Sequence, residues 1–161
     1  MTLQVELVVP EGEIWSGPAE LVIAKTLDGD IGVLTNHTPV LGILVEGSVV
    51  TIRPAAGGEG AARGQNDSEG PGEGRGGGAG RGGGDDIVAA VGGGFFAVAN
   101  NRVSILAHEA QLGRQVDAAA ARAALEKALQ DAADSAGDEE PADVRYFRAL
   151  LRAAGEPDDR A

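Results

Sequence analysis

The sequence predicts an α+β chain, an N-terminal antiparallel β-sandwich followed by a C-terminal two-helix hairpin. Three observations carry that expectation. Short apolar segments, the first with a clear period of two, are separated by turn formers up to residue 54 and resume over 87–107. Beyond His108 the composition changes to Ala, Asp, Glu and Arg. Between the two strand-rich stretches lies a glycine block with no residue able to pack.

In the first segment Leu3, Val5, Leu7 and Val9 alternate with Thr2, Gln4, Glu6 and Val8. That is the period of a strand with one buried face. Further strands are expected over Glu13–Ser16, Glu20–Thr26, Ile31–Leu34, Val40–Leu44 and Ser48–Arg53. Pro10-Glu11-Gly12, Gly17-Pro18 and Asp28-Gly29 read as the turns among them. Spacing this tight suits a sandwich.

Residues 55–86 hold 14 of the 26 glycines in 32 positions and no Val, Ile, Leu, Met, Phe, Trp or Tyr. Such a segment cannot bury enough apolar surface to become ordered, so it is expected to be a disordered insert within the sandwich domain. A coil of this length spans about 30 Å. Lengthening a four-residue turn to this size costs only roughly 2 kcal/mol in closure entropy, so one hairpin can carry it.

Strands resume over Ile87–Val91, Gly93–Ala99 and Arg102–Ala107, with Asn100-Asn101 as a two-residue turn whose side chains tolerate positive φ. The sandwich domain is therefore expected over 1–107 and the hairpin domain, with its C-terminal tail, over 108–161. Asp117 can cap a first helix running to about Asp134. Its run of alanines gives high helix propensity but little buried area per residue, so its docking on the sandwich should be marginal. Pro141 can open a second helix to about Ala154, with Asp143 in its first turn. There Val144, Phe147, Leu150, Leu151 and Ala154 make an apolar stripe, while Arg145, Arg148 and Arg152 recur on another face.

A net charge of -12 disfavours binding to nucleic acid phosphates or anionic lipid. Partners should be proteins offering basic surfaces. The chain has no cysteine, which removes disulfides, thiolate nucleophiles and Cys-ligated zinc and fits a reducing compartment. Residues 1–10 lack a basic n-region, so no secretory leader is expected. The longest apolar run, Ile87–Ala99, is shorter than the roughly 20 residues that span a bilayer.

Literal motif matches carry little. Gly78 to Gly83 satisfies GxGxxG without a strand before it or a helix after it. The RGG triplets at Arg75 and Arg81 sit in a segment with three Arg against six acidic residues and no aromatic for stacking. The sequons at Asn36 and Asn66 presuppose secretion. Neither His37 nor His108 has a local partner arrangement that suggests catalysis, so an enzyme is not expected.

The segments Gly29 to Pro39, Gly92-Gly93-Gly94-Phe95-Phe96-Ala97-Val98 and Val103-Ser104-Ile105-Leu106-Ala107 resemble the signature regions of the epsilon subunit of F-type ATP synthases. Outside the insert the resemblance covers the whole chain. It implies a non-catalytic rotor subunit of the central stalk, at the cytoplasmic face of the membrane and peripheral to it. Its partners would be the gamma subunit, the c subunits of the rotor ring and the catalytic beta subunit, with no cofactor and no metal. By resemblance, Asp30 and His37 are the candidates for the ring contact. Arg145, Arg148 and Arg152 are the candidates for contact with the catalytic head, where an extended hairpin restrains ATP hydrolysis.

The chain departs from the family at Thr35-Asn36, where Pro-Gly is usual, though Asn36 can still adopt the left-handed conformation. Ala97 stands where Glu is general, and His108 where Asp is. Asp117 and Arg122 are the candidates for nucleotide sensing, with the arginine two residues later than the family motif has it; ATP binding is not implied. The rival expectation is a freestanding adaptor that uses its acidic surface and insert to recruit a basic partner.

Overall fold

The computed structural model describes residues 2–55, 86–134, 137 and 139–155. Among them are strands β1 (Leu3–Val9), β2 (Gly12–Thr26), β3 (Gly29–Val33), β4 (Val40–Pro54), β5 (Ile87–Ala99), β6 (Arg102–Ala107) and β7 (Ala110–Leu112). A 3-10 turn over Gly113–Gln115 leads to helices α1 (Ala118–Ala133) and α2 (Ala142–Ala153). The sheet order is β1-β6-β5-β4-β2-β3, with β7 on β5. Because β1 also pairs with β2, from Leu3↔Ala19 to Val9↔Gly12, the sheet wraps back on itself and encloses a core. All pairings are antiparallel except β1 with β6, which is parallel.

Three pairs of expected strands are single long strands. In β2 the Gly17-Pro18 step is a corner rather than a turn: residues up to Ala19 pair with β1, and those from Ala19 on pair with β4. Proline has no N–H to give a ladder, but the Pro18 carbonyl still accepts from Ala55 N at 3.1 Å. In β4 the two segments join through a bulge at Gly47, whose φ of 69° only glycine adopts freely. In β5 they join through Gly92-Gly93-Gly94. The Asn100-Asn101 turn has the left-handed φ expected at both positions, 50° and 58°.

Alternation places Leu3, Val5, Leu7 and Val9 of β1 inside, opposite Val103 and Ile105 of β6, around Trp15 and Phe96. Each large apolar side chain buried this way contributes about 1.5–3 kcal/mol. On β5 the residues Ala89 and Val91 face this core, while Ala90 belongs to a second cluster with Ala149, Leu150 and Leu151 of α2. The continuous apolar run at the start of β5 is thereby covered on both faces.

Helix α2 packs on β4 and β5, and α1 packs chiefly on α2. The thinly apolar first helix is the outer layer, as its composition suggests. Asp117 caps it, its carboxylate accepting from Ala120 N at 3.2 Å. The expected domain division at 107/108 falls before β7, since sheet pairing continues to Leu112. The expected insert, 55–86, lies outside the described residues but for Ala55 and Asp86. At its base Arg53 Nε and Nη2 donate to the two Asp86 oxygens at 3.0 and 3.2 Å, beside the last sheet pair, Ile52↔Ile87.

Candidate functional site

Asp30 is the second residue of β3, exposed, and in register with Lys25 on β2. The turn before it is closed by Thr26 Oγ1, which donates to the Gly29 carbonyl at 2.8 Å, with Gly29 at φ 124°. Gly29 thus uses the conformation that glycine alone adopts readily; Gly32 has neither a positive φ nor a crowded Cβ position.

His37 lies four residues beyond the last residue of β3, at the other end of that strand from Asp30. Its N–H donates to the Leu34 carbonyl at 3.2 Å. Its Nδ1 is 2.7 Å from the Thr38 carbonyl; a carbonyl only accepts, so this nitrogen carries the hydrogen. Asn36 has the left-handed φ of 63°, and its N–H donates to Asn101 Oδ1 at 2.6 Å, tying the loop to the β5–β6 turn. Asp30 and His37 are therefore not gathered into one point but mark the two ends of β3.

The arginines of α2 face the sandwich and the interhelical connection. Arg145 Nη2 lies 3.2 Å from Glu46 Oε2. Arg152 Nη2 donates to the Gly47 carbonyl at 2.9 Å, and Arg148 pairs with Glu140. Two members of the stripe thus converge on the β4 bulge. Asp117 is occupied as the cap of α1, and Arg122 is exposed on the helix that it caps.

Sequence reasoning missed an apolar face. Ile43, Phe95 and Leu106 are each about half exposed, at 50%, 50% and 51%. They stand in register across three strands, Ile43↔Phe95 and Phe95↔Leu106, with Leu41 two residues along β4 and more exposed still. Leu27 and Leu34 add exposed side chains at the ends of β3. Contiguous exposed apolar ladders are uncommon on monomer surfaces and mark sites of association. The signal was present in Val40-Leu41-Gly42-Ile43-Leu44-Val45, which is apolar on both faces although the sandwich fills only one.

At the Gly92–Gly93 bend, where Gly92 N donates to the Glu109 carbonyl at 2.9 Å, several ionisable groups meet the first turn of α2. Partial burial pushes the Glu109 carboxyl above its usual range, helped by Asp143, Glu11 and Glu46 and opposed by His108. Burial, and then Glu109, raise Tyr146 to about 12. Among the described residues no group of three or more His, Asp or Glu is arranged to hold a metal, and no helix is long and apolar enough to cross a membrane.

Residues 2–62 match the family model for the ATP synthase Delta/Epsilon chain beta-sandwich domain. The chain is 40% identical to the ATP synthase epsilon chain of Thermobifida fusca, over 94% of this chain and 91% of that one. It is 38% identical to the ATP synthase epsilon chain of Streptomyces griseus, over 93% and 97%. Among solved structures, a chain of the Euglena gracilis mitochondrial ATP synthase (OSCP/F1/c-ring, rotational state 1) has a similar fold, with a TM-score of 0.62 at 16% identity over 96% of this chain and 79% of that one.

Proposed function

The chain belongs to the ATP synthase epsilon-chain family, stalk subunits rather than catalytic ones, and from that premise we propose that its sandwich couples the gamma subunit to the rotor ring while its hairpin restrains ATP hydrolysis. The observation that carries the coupling is the exposed ladder Ile43–Phe95–Leu106. Three half-exposed large side chains in register have no reason to remain uncovered in an assembled stalk, and an apolar face of gamma would bury them. The loop from Leu34 to Pro39, held by the Asn36–Asn101 bond, is then the ring contact together with Asp30. A tethered loop transmits load better than a free one. On this reading the chain works at the cytoplasmic face of the membrane, peripheral to it.

For the hairpin, the magnitudes favour a switch governed by packing. Exposed ion pairs such as Arg145–Glu46 contribute about 0.2–1 kcal/mol each. Burial of Leu150 and Leu151 contributes up to about 1.5–3 kcal/mol each. Release of α2 therefore costs mainly apolar contact, and it frees Arg145 and Arg152 for an acidic surface of the catalytic beta subunit. The rival reading, a freestanding adaptor, requires no such partners.

The test is reconstitution with the same organism's gamma and rotor-ring subunits and its catalytic head stripped of epsilon. The whole chain should co-purify with gamma at one copy and suppress hydrolysis. A chain ending at Gln115 should bind without suppressing, and Phe95→Asp should abolish binding while leaving the fold intact. Failure of the parent chain to bind gamma would sink the coupling role and leave the adaptor.

A further inference from the structure

We propose that two sandwich-side glycines, Gly47 in the β4 bulge and Gly113 at the start of the 3-10 turn, form a seat that fixes the docked position of α2, so that a single methyl group at either releases the hairpin. A Cβ on Gly47 would lie 2.6 Å from the Arg145 carbonyl oxygen, and one on Gly113 would lie 2.6 Å from the Ala153 carbonyl carbon and 3.2 Å from the Val88 oxygen. These are backbone atoms, which cannot rotate away as a side chain can. Gly94 also faces backbone, but that of Leu106 and Ala107 on the neighbouring strand rather than of α2, whereas a Cβ on Gly92 would meet the flexible Glu109 side chain and one on Gly32 would meet nothing.

The two contacts fall near opposite ends of α2. Arg145 and Ala153 are eight residues apart, so about 12 Å of helix separates them. Two points at that spacing set both the height and the tilt of the helix above the sheet. Between them Ala149, Leu150 and Leu151 pack with Ala90, Val49 and Val88, contacts that fall off steeply when surfaces part by even a fraction of an ångström. The bulge also presents the two polar clips, Glu46 to Arg145 and the Gly47 carbonyl to Arg152. Glycine at the seat thus permits a close approach on which the adhesion and both clips depend. At Gly47 the nearest atoms to the added carbon all belong to Arg145 of α2, and at Gly113 they are Ala153 of α2 and then the Val88 carbonyl of β5; none belongs to the interior around Trp15 and Phe96.

Hydrogen–deuterium exchange on the full chain tests this, because docking is a property of the isolated protein whether or not the hairpin restrains hydrolysis. The variants are Gly113→Ala, whose φ suits any residue, and Gly47→Asn, since Asn tolerates the left-handed φ of 69° while still supplying a Cβ. Gly32→Ala is the control. Amides of Tyr146 to Ala153 should exchange at least about tenfold faster in both variants, with β1 and β6 amides and Trp15 fluorescence unchanged. The control should match the parent. Parent-like exchange of α2 in both variants would overturn the proposal, and so would faster exchange of β1 and β6 alongside α2. If Gly113→Ala fails to fold, Gly47→Asn decides alone.

Discussion

Phe95 and Phe96 are neighbours with opposite environments: Phe96 is wholly buried in the sandwich and Phe95 is 50% exposed on its outer face. Phe96→Ala should cost about 3–5 kcal/mol in urea unfolding, because a cavity remains. Phe95→Ala should stay within about 1 kcal/mol in the isolated chain, since its ring is not part of the core. The alternation of β5 says that the two differ but not which is inside, because both faces of that strand read apolar. Glu109 carries a second expectation. Its carboxyl is raised above the usual value of 4.5 by burial and by Asp143, Glu11 and Glu46, so the folded chain holds that proton more tightly than the unfolded one. Stability is then lost as pH rises from about 4.5 through the raised value, and the penalty is complete above it. Glu109→Gln should melt higher than the parent at neutral pH, and the difference should close as the pH falls below 4.5.

Among the elements, the helices were the most legible. Asp117 and Pro141 announced their starts, and the stripe of Leu150 and Leu151 announced the buried side of α2. The strands were legible in kind but not in extent, because Gly17-Pro18, Gly47 and Gly92 read as breaks when each is a bend or bulge within a longer strand. The engagement of the arginine stripe was not legible at all. Arg145 meets Glu46 from 99 positions away, and only the fold brings them together. Since α1 leans chiefly on α2 and α2 on β4 and β5, the sandwich does not need the hairpin to close its own core. A chain ending at Gln115, which retains β7, should unfold in one cooperative transition followed by Trp15 fluorescence. An uncooperative or absent transition would mean that the second cluster is part of one indivisible core.

On the scale of the whole molecule, the sandwich is closed by two pairings of β1, antiparallel with β2 and parallel with β6. Parallel pairing of the first strand with one near residue 105 leaves no trace in local patterning, which explains why a sandwich could be expected from the sequence but its closure could not. The β4–β5 hairpin survives the interruption between Ala55 and Asp86 with its register intact up to Ile52↔Ile87. Replacing 56–85 by Asn-Gly should therefore raise stability by roughly 2 kcal/mol, the closure entropy recovered, with an unchanged fold. Thermal unfolding of the two chains side by side measures it.

The Arg53–Asp86 clasp brings the two ends of that interruption to one point on the surface, beside the Ala55–Pro18 bond and at the far end of β4 and β5 from the Asn36–Asn101 tether. A foreign domain with adjacent termini could be spliced there without crossing the apolar ladder, the loop from Leu34 to Pro39 or the α2 seat. The position is a ready-made handle: a fluorescent label or bead carried at this point would turn with the sandwich and make the shaft's rotation visible under a microscope.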